Sequence, residues 1–340
     1  MWYNEGQMIL TYKIKHNRDF SGELKLAQKV AEFAMENRDK LSSKYVSHLG
    51  LKSEITNQIL RKYGRNKKAK FVSSVKLTIP SQGINFKDKT ITIFSLKLTM
   101  PFDRECEKIN QIEIDEIYAY VSVTVKEETP YVPEVSIGID LNTTSHCAVV
   151  AIKETGKVYK LGKEAYHIHR KYSRTRRFLQ KKGLYKVVKK IKHRESNKVR
   201  NLNHRISRFV VDLAKKNKGA IYLEKLQGIR DKKCGRSFKY ALNSWSFYQL
   251  NLFIGYKASL AGVPVSYREP NWTSQICSQC GLMGERKGKE FKCPNGHVEH
   301  ADVNAAFNHA SPSESIVRLL AERDVNKRNT DIRQEATLCV

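Results

Sequence analysis

The chain has 340 residues, 40% of them hydrophobic, and its 62 lysines and arginines against 34 acids give a net charge of +28. The length predicts two or three domains with real cores. So high a charge repels itself unless the partner is a polyanion, and nucleic acid is the first candidate. No run approaches the roughly 18 apolar residues of a membrane span, and the N-terminal residues lack the regions of a secretory signal.

The first part of the chain predicts an antiparallel β domain with a helical segment inserted into it. Ser21 can cap a first helix, and a second helix is predicted at 51–63. A linker is predicted at 127–133, where acids and prolines follow one another. The segments with strand alternation are 8–15, 75–79, 90–98 and 118–125.

Strands and helices alternate from residue 135 onwards. Val135, Ile137 and Ile139 alternate into Asp140, as in a buried strand that ends in a carboxylate. Taken alone, Asp140 and Asn142 could equally supply the chemistry of a turn. The segment 219–226 has the same form and carries Glu224 at its end. Further strands are predicted at 146–152, 158–161 and 263–267.

A dense basic segment spans residues 166–200, with 14 lysines or arginines and one acid, Glu195. Charge runs are usually solvated faces, but the interleaved Tyr172, Phe178 and Tyr185 favour contact with phosphates and bases. The predicted nucleic-acid-binding residues are Arg170, Lys171, Arg174, Arg176, Arg177, Lys181 and Lys182.

Two helices that follow are predicted to be mostly core. The apolar stripe of the first is formed by Leu202, Ile206, Phe209, Val210 and Leu213. The second spans 243–260 and contributes Trp245, Phe247, Tyr248 and Phe253.

The seven cysteines are an odd number, which favours metal binding in a reducing cytosol over a disulfide framework. Cys277 and Cys280 form C-x-x-C before a glycine, and Cys293 follows twelve residues after the glycine. This spacing predicts a closed, structural Zn²⁺ site. A second C-x-x-C would place the fourth ligand at a glycine, so His297 is the nearest candidate, with His300 behind it.

A third acid, Asp302, falls on the first turn of a predicted helix at 300–310. An isolated acid there would merely complement the helix dipole. Together with Asp140 and Glu224 in a basic protein, it suggests metal-assisted phosphodiester hydrolysis. Carboxylates hold Mg²⁺ well, and two Mg²⁺ (or Mn²⁺) ions about 4 Å apart can activate water and stabilise the leaving oxygen.

The motifs I-G-I-D-L-N at 137–142, Y-L-E-K-L at 222–226, W-T-S-Q-I-C-S-Q-C-G at 272–281 and D-V-N-A-A at 302–306 occur in one order. In that order they resemble the TnpB/OrfB proteins of insertion sequences, which are related to type V CRISPR effectors. The resemblance covers about 135–310. This chain departs from the family pattern at the usual fourth zinc cysteine, and it has His-Ala-Asp where the family often has Asp-Arg-Asp.

The resemblance implies an α/β RNase H-like (RuvC) core with an inserted zinc-ribbon module, preceded by a wedge-like antiparallel β domain that carries a small helical insert. Asp140 and Glu224 would lie on adjacent strands, with Asp302 added by the last helix. The expected domains are 1–18 and 71–130 (wedge), 19–70 (recognition insert), 134–270 and 298–312 (nuclease), 271–297 (zinc ribbon that binds target nucleic acid) and 313–340 (polar tail).

The function that the resemblance implies is RNA-guided cleavage of DNA at a single Asp/Glu/Asp site. The expected partners are a guide RNA from the transposon end and target double-stranded DNA, in the prokaryotic cytosol and at the nucleoid. Two alternatives stay open. One is an RNA-guided DNA-binding regulator that does not cleave, and the other is a zinc-ribbon protein that binds nucleic acid without a guide.

Overall fold

The computed structural model describes residues 7–68, 70–142, 146–225, 247–268 and 273–311. The chain divides into two compact units, Met1–Glu127 and Glu128–Val340. Trp245 and the predicted tail lie outside the described residues. None of the helices that the structure describes has the length and apolar run needed to cross a membrane.

The first unit contains a four-stranded antiparallel sheet, a three-stranded antiparallel sheet and two helices. The four-stranded sheet has the order β1-β7-β6-β2 and the three-stranded sheet has the order β3-β4-β5. Both helices lie between β1 and β2 in sequence, where the helical insertion was predicted. The elements are β1 Gln7–Lys15, α1 Ser21–Glu36, α2 Ser53–Gly64, β2 Leu77–Pro80, β3 Asn85–Lys87, β4 Thr90–Ile93, β5 Leu98–Pro101, β6 Lys108–Ile114 and β7 Tyr118–Lys126.

Two local predictions in this unit are wrong. Residues 90–98 are not one strand, because a 3₁₀ turn at Phe94–Leu96 and a left-handed Lys97 (φ 49°) separate β4 from β5. This break changes which positions face the core, so both Ile93 of β4 and Leu98 of β5 are buried although they differ in strand parity. Ser21 is the first residue of α1 and not its cap, and Asp19 Oδ1 accepts a hydrogen bond from its backbone N–H at 2.9 Å.

The second unit is built on a five-stranded mixed sheet in the order β10-β9-β8-β11-β12. The strands β8, β11 and β12 run parallel to one another, whereas β9 is antiparallel to both β8 and β10. The apolar alternation predicted these strands closely, and β10 was predicted to the residue. The strands are β8 Val135–Leu141, β9 Ala148–Ile152, β10 Val158–Leu161, β11 Gly219–Glu224 and β12 Val265–Arg268.

The second unit contains the helices α3 Lys163–Lys181, α4 Tyr185–Lys216 and α5 Phe247–Leu260. One face of the sheet buries Ile137, Ile139 and Leu141 in a cluster with residues of α4 and α5. Two residues predicted for this core are solvent-exposed instead, Phe209 at 40% and Tyr248 at 71%. Phe209 packs against Tyr159 of the edge strand β10, with ring centroids 5.5 Å apart, and remains partly exposed. Apolar character alone does not reveal such exposure.

The opposite face of the sheet carries the last helix, α6 Ala301–Ala310. A three-stranded antiparallel ribbon of β13 Glu285–Lys287, β14 Glu290–Lys292 and β15 Val298–His300 precedes it, and β15 runs into α6 without an intervening residue. The helix lies very close to β8 at Gly138. A Cβ atom at this position would lie 2.0 Å from the carbonyl oxygen of Ala306 and 2.4 Å from the amide nitrogen of Ala310.

We predict that Gly138→Ala destabilises the second unit by about 1–3 kcal/mol, because the added methyl group meets helix backbone that can only move as a whole. Chemical denaturation monitored by circular dichroism measures the change. Gly22→Ala is the matched control, since a Cβ at Gly22 meets nothing within 4 Å, and alanine is the better helix former. An unchanged stability of Gly138→Ala would contradict the close packing.

Candidate metal and nucleic-acid-binding sites

Two carboxylates lie side by side at the carboxyl ends of adjacent parallel strands. Ile139 of β8 pairs with Leu223 of β11, so the next residues, Asp140 and Glu224, are neighbours across the sheet. Side chains alternate along a strand, and both acids therefore project on the face that carries α6, on the same side as Gly138. The sheet register thus brings together two of the three acids predicted from the sequence.

Asp302 lies on the first turn of α6, with 4% of its side chain exposed. Its Oδ2 accepts a hydrogen bond from Lys289 Nζ at 2.5 Å, and Arg286 lies 3.6 Å from its Oδ1. His300 caps the helix through its side chain, since its Nδ1 accepts from the N–H of Asp302 at 3.3 Å. The third predicted acid is therefore buried, and two cations of the ribbon segment lie beside its carboxylate.

Asn142 connects the acid of the sheet to the acid of the helix. Its Nδ2 donates to Asp140 Oδ2 at 2.6 Å, while Lys289 Nζ lies 3.4 Å from its Oδ1 and also binds Asp302. From the sequence, Asn142 was considered only as a turn residue beside Asp140. The structure makes it the polar bridge between the strand end and the ribbon.

Burial raises the pKa of Asp140 to about 8, with the negative charges of Asp302 and Glu224 adding to the effect. The hydrogen bond from Asn142 and the charge of Lys289 act in the opposite direction. A carboxylate that is this poorly stabilised by its protein surroundings gains strongly from a bound cation. The acid cluster therefore suits a divalent metal ion.

His309, which we did not single out from the sequence, joins this cluster. One ligand atom each from Asp140, Glu224 and His309 lies within 4.8 Å of the other two. His309 is fully buried, and burial lowers its pKa to about 4, with the charge of Arg268 adding to the effect. It follows Asp302 by seven residues, about two helical turns. That spacing was the one available signal, but it needed knowledge of which helix face meets the sheet.

The predicted zinc ligands converge on a second cluster. The donor atoms of Cys277, Cys280, Cys293 and His297 all lie within 4.8 Å of one another. Cys280 Sγ is 3.3 Å from Cys293 Sγ, and Cys277 Sγ is 3.4 Å from His297 Nδ1. Three thiols and one imidazole at this spacing suit tetrahedral Zn²⁺. A backbone N–H of Leu282 is the main cause that lowers the pKa of Cys280 to about 7, which favours the ligating thiolate.

The glycines of both knuckles explain why a histidine, and not a fourth cysteine, completes the cluster. Gly281 and Gly296 have φ values of 76° and 83°, which favour glycine. Gly296 closes its turn by donating to the carbonyl of Cys293 at 2.9 Å, and Cys293 N–H donates to the carbonyl of His297 at 2.8 Å. The position that a second C-x-x-C would use is therefore a turn, and the next side chain reaches the cluster.

Two buried asparagines of α6 fasten the helix to the first knuckle. Asn304 and Asn308 each donate to the carbonyl of Ile276 at 2.7 Å, and Asn304 Oδ1 accepts from the N–H of Ser278 at 2.8 Å. Asn308 also donates to the carbonyl of Thr273 at 2.7 Å. The cysteine cluster and the acid cluster are thus joined through a single helix.

The basic segment folds into the hairpin of α3 and the start of α4. Six of its seven predicted nucleic-acid-binding side chains are exposed there, as are Phe178 and Tyr185. Arg176 differs, because its guanidinium pairs with Glu195 Oε2 while His169 Nδ1 lies 2.8 Å from Glu195 Oε1. These contacts lower the pKa of Glu195 against the effect of its burial. Arg176 therefore holds the two helices together.

These features define a class of protein: an α/β protein whose five-stranded mixed sheet carries a partly buried acid cluster, with a cysteine–histidine ribbon that leads into the last helix. The family profile of the Cas12f1-like TNB domain matches residues 247–309. TnpB-like protein MJ0751 of Methanocaldococcus jannaschii is 36% identical over 169 residues, which cover 47% of this chain and 59% of that protein.

The CRISPR-associated endodeoxyribonuclease Cas12f1 of Sulfoacidibacillus thermotolerans is 35% identical over 206 residues, which cover 55% of this chain and 47% of that protein. The chain thus aligns with only about half the length of these curated relatives. A cryo-EM structure of a Cas12f1–sgRNA–target DNA complex matches with a TM-score of 0.57 at 16% identity, over 86% of this chain and 82% of that one. At this level of identity, the structural similarity shows that the two chains share a fold.

The chain is therefore similar to the TnpB-like proteins and to Cas12f, which confirms the resemblance noted in its sequence.

We predict that Asp140→Asn raises the thermal midpoint of the protein without added divalent cations, and does so more at pH 8 than at pH 5. The folded-state pKa of about 8 lies above the ordinary 3.8. The stability that Asp140 contributes is therefore complete below about pH 4 and is lost as the pH rises through 8, whereas asparagine stays uncharged. Thermal unfolding at both pH values measures the effect.

Asp212→Asn is the matched control for this experiment, since the side chain of Asp212 is 62% exposed. Its difference from the wild type should not change between the two pH values. An equal effect of Asp140→Asn at pH 5 and pH 8 would refute the assignment of a raised pKa to Asp140.

Proposed function

We propose that this protein is an RNA-guided DNA endonuclease encoded by an insertion sequence, with one metal-dependent hydrolytic site formed by Asp140, Glu224 and Asp302. The observation that carries the proposal is the pair of carboxylates at the ends of β8 and β11, with Asp140 half-buried and poorly stabilised by the protein alone. The sheet order, read as 3-2-1-4-5 along the chain, supports an RNase H-like (RuvC) core.

The division of labour among the residues follows from their positions. Asp140 and Glu224 would hold divalent cations, Mg²⁺ or Mn²⁺. Asp302 would become the third carboxylate ligand once a metal ion displaces Lys289 from it. Bound cations supply charge that activates water and stabilises the leaving oxygen. Asn142 orients Asp140 through its 2.6 Å hydrogen bond. The cysteine–histidine cluster would hold a structural Zn²⁺ that keeps α6 in place.

The partners are inferred from the relatives and from the charge of the chain. Cas12f1 is called an endodeoxyribonuclease, and the matched complex contains a guide RNA and target DNA. The net charge of +28 and the exposed basic side chains of the α3–α4 hairpin suit such polyanions. We assign the nuclease domain to 134–270 and 298–312, the ribbon to 271–297, and the wedge with its helical insert to the first unit.

We predict that Asp140→Ala reduces cleavage of guide-matched DNA by at least about 10³-fold. The metal ions that Asp140 helps to bind would supply several kcal/mol of charge stabilisation in the transition state. The assay uses protein purified with its copurifying RNA, matched DNA and Mg²⁺ or Mn²⁺. Asp212→Ala, which removes an exposed carboxylate on α4, is the control and should cut like the wild type. Cleavage that survives Asp140→Ala would end the assignment.

The second candidate is an RNA-guided DNA-binding regulator that does not cleave. The observation in its favour is the engagement of Asp302 by Lys289 at 2.5 Å, with Arg286 close by, which neutralises one acid without any metal ion. Tight binding of guide-matched DNA by the wild type, without cleavage in Mg²⁺ or Mn²⁺, would favour this function. Cleavage by the wild type would exclude it.

We predict that replacing Arg174 and Arg177 by glutamine flattens the salt dependence of nucleic-acid binding. If each contacts one phosphate, the slope of log K against log salt falls in magnitude by about 1.4 to 1.8. Arg176→Gln is the informative comparison, because this guanidinium already pairs with Glu195. It should lower the thermal midpoint and leave the slope nearly unchanged. An unchanged slope in the double variant would make the hairpin a solvated face.

A further inference from the structure

We propose that His309 is a direct ligand of the metal ion in the acid cluster, and that its imidazole makes this centre select first-row transition metal ions over Mg²⁺. The proposal rests on the proposed metal-dependent site and names the class of ion that it takes. The ligand set would be two carboxylates and one imidazole, from Asp140, Glu224 and His309.

The first argument is the state of the ring nitrogens. Among the described residues, neither Nδ1 nor Nε2 of His309 has a hydrogen-bond partner, although the side chain is fully buried. Buried polar atoms without partners are rare, because each loses its hydration without compensation. A metal ion is a partner that such a nitrogen would gain on binding.

The second argument is position. A ring nitrogen of His309 lies within 4.8 Å of a carboxylate oxygen of Asp140 and of Glu224. An ion with bonds of about 2.0–2.2 Å to nitrogen and oxygen can sit between donors at this spacing. The contact of α6 with β8 at Gly138 keeps His309 from moving away from the strand ends, since the helix lies on the strand without any intervening side chain.

The third argument is that Arg268, the cation near His309, does not take the place of the metal ion. The guanidinium of Arg268 donates to the carbonyl of Ser311, and its Cζ lies 4.2 Å from the centre of the Tyr222 ring. Asp302, by contrast, already has Lys289 as its cation. Within the part of the chain that the structure describes, the cations of the ribbon thus pair with Asp302, whereas neither ring nitrogen of His309 has a hydrogen-bond partner.

The chemistry of the ligands decides the class of ion. Mg²⁺ prefers oxygen ligands and retains its waters, whereas imidazole binds first-row transition metals well. A site of three carboxylates would accept Mg²⁺ readily. Replacement of one oxygen ligand by a nitrogen shifts the preference towards Mn²⁺, Fe²⁺ or Co²⁺.

The test uses Mn²⁺ as a spectroscopic probe on the full chain, without guide RNA or DNA. Pulsed EPR of bound Mn²⁺ should show coupling to one imidazole ¹⁴N nucleus in the wild type. His309→Leu should abolish this coupling and weaken Mn²⁺ binding roughly tenfold, with a smaller effect on Mg²⁺ measured by competition. Leucine fills the buried space and needs no hydrogen bonds, so the variant should unfold at or above the wild-type temperature without metal.

His300→Ser is the matched control, because His300 is another imidazole beside an acid of the site and its Nδ1 lies 3.9 Å from Asp302 Oδ2. Serine can still cap α6. The ¹⁴N coupling should persist in this variant. Its loss in His300→Ser, its absence in the wild type, or its persistence in folded His309→Leu would each overturn the proposal.

These outcomes are separate from those of the proposed function. Mn²⁺ coordination is measured without any substrate, so a protein that fails to cleave DNA can still show the imidazole coupling. Equally, Asp140-dependent cleavage with no ¹⁴N coupling would leave the nuclease assignment intact and reject His309 as a ligand.

Discussion

The contact between α6 and β8 at Gly138 is the constraint on which the second unit depends. Backbone meets backbone there, with no room for even one methyl group. Asp140 lies two residues further along the same face of the strand, and the helix carries Asp302 at one end and His309 at the other. Because no side chain separates helix and strand at Gly138, Asp140 of the strand and His309 of the helix are held within reach of one ion.

The electrostatics of the site reflect this close approach. Burial raises the pKa of Asp140 to about 8, and repulsion from the charges of Asp302 and Glu224 adds to the effect. Of the residues that the structure describes, Lys289 and Arg286 relieve part of this repulsion at Asp302, and Asn142 does so at Asp140. The remainder is the free energy that a divalent cation can recover on binding. A site for cations is therefore intrinsically destabilising to the protein that carries it.

Much of the second unit could be predicted from the sequence, because its strands are buried on both sides or alternate cleanly. The strands ending at Asp140 and Glu224 and the cysteine cluster with His297 are local patterns of this kind. Predictions were wrong where the outcome depends on tertiary position. Apolar character placed Phe209 and Tyr248 in the core, and alternation ran through the turn at Phe94–Leu96.

Two functional features were outside the reach of sequence reasoning for the same reason. His309 carries no motif, and its importance depends on which face of α6 meets the sheet. Arg176 is indistinguishable from its basic neighbours until its contact with Glu195, across two helices, is known. Local periodicity identifies elements, but it does not state which members of a charged or polar series point inward.

The direct junction of β15 and α6 restricts how this chain can vary in length. One residue added between His300 and Ala301 would rotate the helix by about 100° relative to the ribbon, and would turn Asp302 and His309 away from the strand ends or pull Asn304 and Asn308 off the first knuckle. Insertions are tolerable only where they leave this helical phase unchanged. The ribbon thus fixes the rotation of α6 about its own axis, and so determines which of its side chains face the sheet.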